Sequence, residues 1–234
     1  IDKALDTWIA AMLGASKDYV KAWDVVNEPM SDWPDPSKLK TGLGKTLAAN
    51  EFYWQDYLGK DYAVRAIQLA RKYGNATDKS FVNDCGLENA DQKKCFGLIE
   101  YVKYIESKGV TVDGIGTQMH VTYYENANIE KSKEAAIVNM FKILAASGKL
   151  VRISELDMCI RDANGNTVNT ANATDAQLKG QAALYQFIVK AYFDNIPAAQ
   201  RYGIAQWAQT DSPSTSGWLP NQPIGLWNSN YSRK

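Results

Sequence analysis

The sequence predicts an α/β fold built on parallel strands. Three observations carry that prediction. Helical and extended apolar patterns alternate along the chain. The helical stretches run for 14–20 residues, long enough to cross over between parallel strands. Each extended stretch leads, at its C-terminal end, into polar side chains: Asn27-Glu28, Asn83-Asp84, Gln118 and His120, Glu155 and Asp157, and Gln206 to Asp211.

The elements follow in order. Residues 1–17 place Ile1, Leu5, Trp8, Ile9 and Met12 on one helical stripe, and Gly14 and Ser16 end it. Residues 20–26 are rich in β-branched side chains and read as a buried strand that Pro29 stops. A loop rich in proline and glycine follows. A helix over 60–73 carries Tyr62, Ala66, Leu69 and Ala70 on one face and stops at Gly74. A strand over 79–84 and a helix over 90–108, with Cys95, Leu98, Val102 and Ile105 on its apolar face, come next. Residues 113–121 read as one glycine-containing strand, 129–147 as a helix ending at Gly148, and 150–155 as a strand ending in Glu155. Thr174 and Gln177 form a capping-box pattern that opens a helix to about Asn195. A last strand covers 202–208.

Composition narrows the function. The 234 residues carry 26 Lys+Arg and 26 Asp+Glu, so no charge surplus points to nucleic acid or an anionic surface. No stretch approaches the ~18 consecutive apolar residues of a membrane span. Ile1-Asp2-Lys3 shows neither a signal-peptide pattern nor an initiator methionine, and the sequence reads as a processed or cut piece of something longer. His120 is the one histidine, which excludes multi-histidine metal sites, and the three cysteines form no CxxC pair. Cys85 and Cys95 could close a short loop. Neither a metal nor a cofactor is expected. Seven Trp and thirteen Tyr in a neutral chain suit a ligand that is flat and hydroxylated, such as a sugar ring, although large aromatics also build cores. Gly44-Lys45-Thr46 imitates the end of a phosphate loop, but Leu39 stands at the first glycine's position and no strand precedes it. Asn75, Asn172 and Asn230 head glycosylation sequons, which matter only in a eukaryotic secretory pathway.

Five strands are legible, whereas a closed (β/α)8 barrel needs eight. The chain is then a portion of a barrel, or an open doubly wound sheet. Carboxylates at strand ends favour a functional rim, because a buried strand leading into an unpaired charge is costly. Glu28 and Glu155 stand out among aromatic and amide side chains. They lie 127 residues apart, so only the fold brings them into one site. Paired carboxylates suit glycoside hydrolysis: one protonates the leaving oxygen, and the other attacks the anomeric carbon or activates water.

Taken in order, WDVVNEP, VND, DGIGTQMHV, ISELDM and WAQTD with a downstream tryptophan resemble glycoside hydrolase family 10, whose members are mostly endo-β-1,4-xylanases. The resemblance implies a (β/α)8 TIM barrel of which residues 1–234 form a single catalytic portion, strands 4 to 8, with strands 1 to 3 and the last helix missing. It implies Glu28 as general acid/base and Glu155 as nucleophile of a retaining enzyme, with carboxylates about 5–5.5 Å apart. It further implies Asn27 on the sugar 2-hydroxyl, His120 holding Glu155 and held by Asp157, Gln118 against the carboxylates, and Asn83 as a supporting residue. Trp207 would floor the cleaved sugar and Trp218 would cover it. The expected partners are xylan or xylo-oligosaccharides, together with the missing barrel segment or an inserted carbohydrate-binding module. A polymer substrate implies a secreted, periplasmic or cell-surface location.

Bland readings stand beside these. His120 and Trp207 could be core, Asp157 could cap a turn, and Trp23 is expected in the core. Trp33 and Trp54 could line leaving-group subsites or simply pack. The chain departs from the family where Cys85-Gly86 replaces the tyrosine that usually follows Asn-Asp, which puts the first leaving-group contact in doubt. Another β-glycanase, a sugar-binding protein without turnover, and an inactive fragment are the competing readings.

Overall fold

The computed structural model describes residues 1–233. The chain divides into two compact units, residues 1–84 with 93–116, and residues 85–92 with 117–234.

In the first unit, α1 (Asp2–Ser16) leads into β1 (Ala22–Asn27); α2 (Trp54–Leu58) and α3 (Tyr62–Tyr73) precede β2 (Lys79–Asp84); and α4 (Lys93–Ser107) precedes β3 (Gly114–Thr117). β1 pairs in parallel with β2, from Ala22 opposite Lys79 to Asn27 opposite Asn83. The register slips once, between Asp24 and Val26, where β1 spends two residues against one step of β2. Leu5 and Leu13 of α1 and Ala63, Ala66, Ile67, Leu69 and Ala70 of α3 are buried, the inward stripes of two amphipathic helices. Phe81 and Val82 are fully buried in β2. Trp23 is half-buried and Trp33 lies open at 78% exposure, so Trp33 contributes little packing.

In the second unit, β4 (His120–Tyr124) is followed by α5 (Ala127–Ala146), β5 (Leu150–Arg161), α6 (Asp175–Asn195) and β6 (Arg201–Gln206). β5 pairs in parallel with β4 on one side and β6 on the other. The Thr174–Gln177 capping box is present: the Gln177 backbone N–H donates to Thr174 Oγ1 at 3.3 Å, and the Thr174 N–H donates to Gln177 Oε1 at 3.0 Å. Tyr192 of α6 is buried and donates its hydroxyl to the Val151 carbonyl at 2.8 Å.

Two expectations are corrected. The described residues carry six strands rather than five, because the stretch read as one strand over 113–121 is broken. Met119 takes a φ of 64°, a left-handed conformation that ends β3 and lets β4 begin at His120. β5 also runs to Arg161, six residues past Glu155, so Glu155 and Asp157 lie within a strand and not at its end. The short helix α2 was not legible in the sequence.

Candidate active site

In the first unit the site is built where β1 ends. The parallel ladder continues one residue beyond the strand, with the Glu28 N–H donating to the Asn83 carbonyl at 2.8 Å. The backbone then turns through a φ of 52° at Glu28, and Pro29 prevents further pairing. Beside it, Asn83 Nδ2 donates to Asn27 Oδ1 at 2.8 Å. That bond needs Gly116: a Cβ there would sit 2.1 Å from Asn83 Oδ1. Sequence and structure therefore agree in grouping Asn27, Glu28 and Asn83.

The structure adds an ion-pair network that the sequence analysis did not single out. Lys40 Nζ lies 3.1 Å from Glu28 Oε2 and 3.5 Å from Asp32 Oδ2. Lys94 Nζ lies 2.6 Å from Asp32 Oδ1 and 2.9 Å from Asp84 Oδ1. Asp84 is fully buried and its Oδ2 accepts the Met30 N–H at 2.8 Å, two residues past Glu28. Burial pushes the Asp84 carboxyl above its ordinary value, with Lys94 offsetting part of the rise. Burial also works against the Lys40 ammonium, but Glu28, Asp32 and Asp84 outweigh it and hold Lys40 above its usual value. A signal for Lys94 was present: it heads the buried stripe of Leu98, Tyr101, Val102 and Ile105, where a lysine needs a partner. Lys40 had none, since it lies in an irregular segment. Asn27, Glu28, Pro29 and Lys40 line a cleft of about 280 Å³ together with Phe52, Trp54 and Tyr62. Trp54, the first residue of α2, lines this cleft, and Trp33 is absent from its lining.

In the second unit the site is centred on His120. Its Nδ1 lies 2.7 Å from Asp157 Oδ1 and its Nε2 3.4 Å from Glu155 Oε2. The ladder explains the first contact, because His120 and Asp157 are direct partners across β4 and β5. Asp157 is fully buried and takes a second bond at Oδ2, from Trp218 Nε1 at 2.7 Å. The Trp218 ring lies 4.6 Å and the Trp207 ring 5.8 Å from the imidazole, centroid to centroid. Trp207 is 54% exposed and so presents a face to the site and not to the core. Gln118 is buried and its carbonyl accepts the Glu155 N–H at 3.1 Å. Burial disfavours the imidazolium, but hydrogen bonds and charge from Asp157 and Glu155 outweigh that and raise His120 above its ordinary value.

Glu155 owes its position to an irregularity. β5 pairs Ile153 with Ile204 and Leu156 with Gln206, spending three residues against two of β6. The extra residue falls at Ser154-Glu155, and such bulges re-aim a side chain. Chemically, this half offers a carboxylate beside an imidazole, a buried aspartate that fixes the imidazole, and two partly exposed indoles next to it.

A family model described as glycosyl hydrolase family 10 matches residues 1–234. The chain is 34% identical over 243 residues to endo-1,4-beta-xylanase A of Cellvibrio japonicus, covering 98% of this chain and 37% of that protein. It is 31% identical over 228 residues to endo-beta-1,4-xylanase Xyn10C of the same species, covering 92% of this chain and 34% of that protein. The structure superposes on crystalline xylanase B of Clostridium stercorarium F9 with a TM-score of 0.79 and 27% identity, over 100% of this chain and 63% of that one. The chain thus spans about a third of the length of these curated relatives. The α/β parallel-sheet fold is that of these barrel xylanases. The family match runs over residues 1–234 and lends no support to the narrower expectation that strands 4 to 8 alone are present.

Proposed function

The chain belongs to glycosyl hydrolase family 10, and from that membership we propose that it carries the acid/base and nucleophile of a retaining endo-β-1,4-xylanase. In this reading β1 and β5 take the places of the fourth and seventh barrel strands. The observation that carries it is the clamp in the second unit, where His120 is held by Asp157 at 2.7 Å and meets Glu155 at 3.4 Å under Trp218.

Glu155 is the nucleophile. An adjacent imidazole held above its ordinary value by Asp157 and Glu155 favours the ionised carboxylate that attack requires. Asp157 fixes the imidazole so that Nε2 faces Glu155, and Trp218, bonded to Asp157, lies against the ring. Trp207 supports the apolar face of the sugar. Glu28 gives a proton to the leaving oxygen while Glu155 forms the glycosyl ester, then takes a proton from the water that cleaves the ester. Asn27, held by Asn83, hydrogen-bonds the 2-hydroxyl. The substrate is xylan or a xylo-oligosaccharide, and a polymer of that size places the protein outside the cell or in the periplasm.

Reducing-sugar release from xylan, with Glu155→Gln as control, tests the reading. Release that the variant abolishes is expected. Release that survives in the variant refutes the nucleophile assignment. Turnover of β-glucan with xylan untouched moves the protein to another β-glycanase activity.

A further inference from the structure

The cleft of the first unit holds a cation that the two-carboxylate chemistry does not call for. Residues 29–31 and 38–40 run antiparallel: Met30 bridges Leu39, the Ser31 N–H donates to the Lys38 carbonyl at 2.7 Å, and the Lys40 N–H donates to the Pro29 carbonyl at 2.8 Å. Gln55 closes the other side by donating its amide to the Lys40 carbonyl. This framework brings Lys40 back beside Glu28, twelve residues earlier in sequence, with the lysine side chain 19% exposed and the glutamate 41%. The charged groups facing the ammonium are Glu28, Asp32 and Asp84.

We propose that Lys40 is a positioning residue for the acid/base carboxyl: its ammonium, bonded to Glu28 Oε2, fixes which oxygen of Glu28 carries the transferable proton. The inference rests on Glu28 being the acid/base. An ammonium has three donors and no acceptor. The oxygen it touches must therefore accept, and when Glu28 is protonated that oxygen is the carbonyl-like one. The proton then resides on Oε1. In the first step the Oε1–H bond breaks and the proton passes to the glycosidic oxygen. The bond from that oxygen to the anomeric carbon breaks with its electron pair staying on the oxygen, while Glu155 bonds to the carbon. In the second step water returns a proton to Oε1 as its oxygen attacks the carbon and the ester bond to Glu155 breaks. The Lys40–Oε2 bond persists through both steps. Asp32 and Asp84 face the ammonium even while Glu28 carries its proton, so Lys40 donates a hydrogen bond and never the reacting proton. Asp32, which also pairs with Lys94, lies 3.5 Å from the same ammonium.

The test compares two aryl xylobiosides in the active enzyme. One has a phenol leaving group that departs only with protonation, the other a dinitrophenolate that departs without it. General-acid catalysis contributes about 10²–10⁴-fold. Lys40→Met should lower kcat/KM, which reports the first step alone, by roughly 10–100-fold on the phenol substrate, part of that contribution, and change kcat/KM on the dinitrophenyl substrate less than about twofold. Lys40→Arg should restore most of the loss. Equal losses on both substrates, or no loss on either, overturn the proposal. Glu28→Ala separates this outcome from failure of the underlying reading: if it too loses nothing on the phenol substrate, Glu28 is not the acid/base. A measurement free of turnover stands beside these. The Lys40 ammonium protons, observed by ¹⁵N NMR, should exchange with water faster in Glu28→Gln than in the parent. Unchanged exchange refutes the bond itself.

Discussion

Replacing Lys94 by methionine removes one partner of a buried ion pair while keeping most of the volume of the stem. The Lys94 side chain is 2% exposed and the Asp84 side chain 0%, with 2.9 Å between Nζ and Oδ1. Leaving a buried charge without its partner costs about 3–5 kcal/mol. The second contact of Lys94, to Asp32, adds little, because Asp32 is 64% exposed and pairs in contact with solvent contribute at most about 1 kcal/mol. For a chain of this size each kcal/mol lowers Tm by about 2–4 °C, so Lys94→Met should melt roughly 6–20 °C below the parent. Asp84 is already pushed above its ordinary value by burial. Its folded value lies above its unfolded one, so the variant should regain stability relative to the parent as pH falls through that raised value and the carboxyl becomes neutral. The double variant Asp84→Asn/Lys94→Met buries no charge at this pair and should recover more than half of the loss. Denaturant unfolding of the four proteins of this cycle, at neutral and acidic pH, is the assay. A loss below about 1 kcal/mol for Lys94→Met, or a double variant as unstable as the single one, would refute the view that Asp84 depends on Lys94.

Three further outcomes are expected. Gly116→Ala should destabilise by about 1–3 kcal/mol by thermal melt, because the new Cβ meets Asn83 Oδ1 at 2.1 Å and must push Asn83 off Asn27; a neutral result would show that Asn83 can move without cost. His120 is raised by its two carboxylates, so its contribution to stability is fully present below its unfolded value near 6.5 and is lost as pH rises through the folded value. The stability difference between the parent and His120→Asn, followed by urea unfolding, should shrink across that window, and a difference independent of pH would contradict it. Trp218→Phe removes the 2.7 Å bond to Asp157 along with part of the cover over His120; it should lower kcat on xylo-oligosaccharides about tenfold or more with a smaller change in KM, since about 1.4 kcal/mol is one decade. A change in KM alone would make Trp218 a sugar-binding wall only.

Much of the site was legible because strand-associated carboxylates and amides are hard to explain as packing. Asn27, Glu28, Gln118, Glu155 and Asp157 all follow from that argument, and His120 pairs with Asp157 as the resemblance implied. What escaped has physical reasons. The break at Met119 leaves no mark, since Gly-Ile-Gly-Thr-Gln-Met-His-Val is a good strand sequence and the kink is a backbone conformation imposed on an ordinary methionine. Lys40 reaches Glu28 through a segment without periodicity, so nothing in its neighbours points back at β1. Asp157 could be read as a turn cap only while β5 was taken to end at Glu155.

The slips in the ladders of β1 and β5 carry a consequence for how these segments tolerate change. Side chains alternate faces along a strand, so adding or removing one residue inverts every position beyond it. Two of the three slips lie just before or at a proposed catalytic carboxylate, between Asp24 and Val26 on the way to Glu28 and between Ile153 and Leu156 around Glu155; the third falls between Val151 and Arg152. Deleting Ser154 would remove the slip between Ile153 and Leu156 and turn Glu155 to the opposite face. Point substitutions near these slips are thus a milder perturbation than any change in length. Segment exchange with a related barrel should succeed where both slips are carried over intact, and yield folded but inert proteins where either is lost.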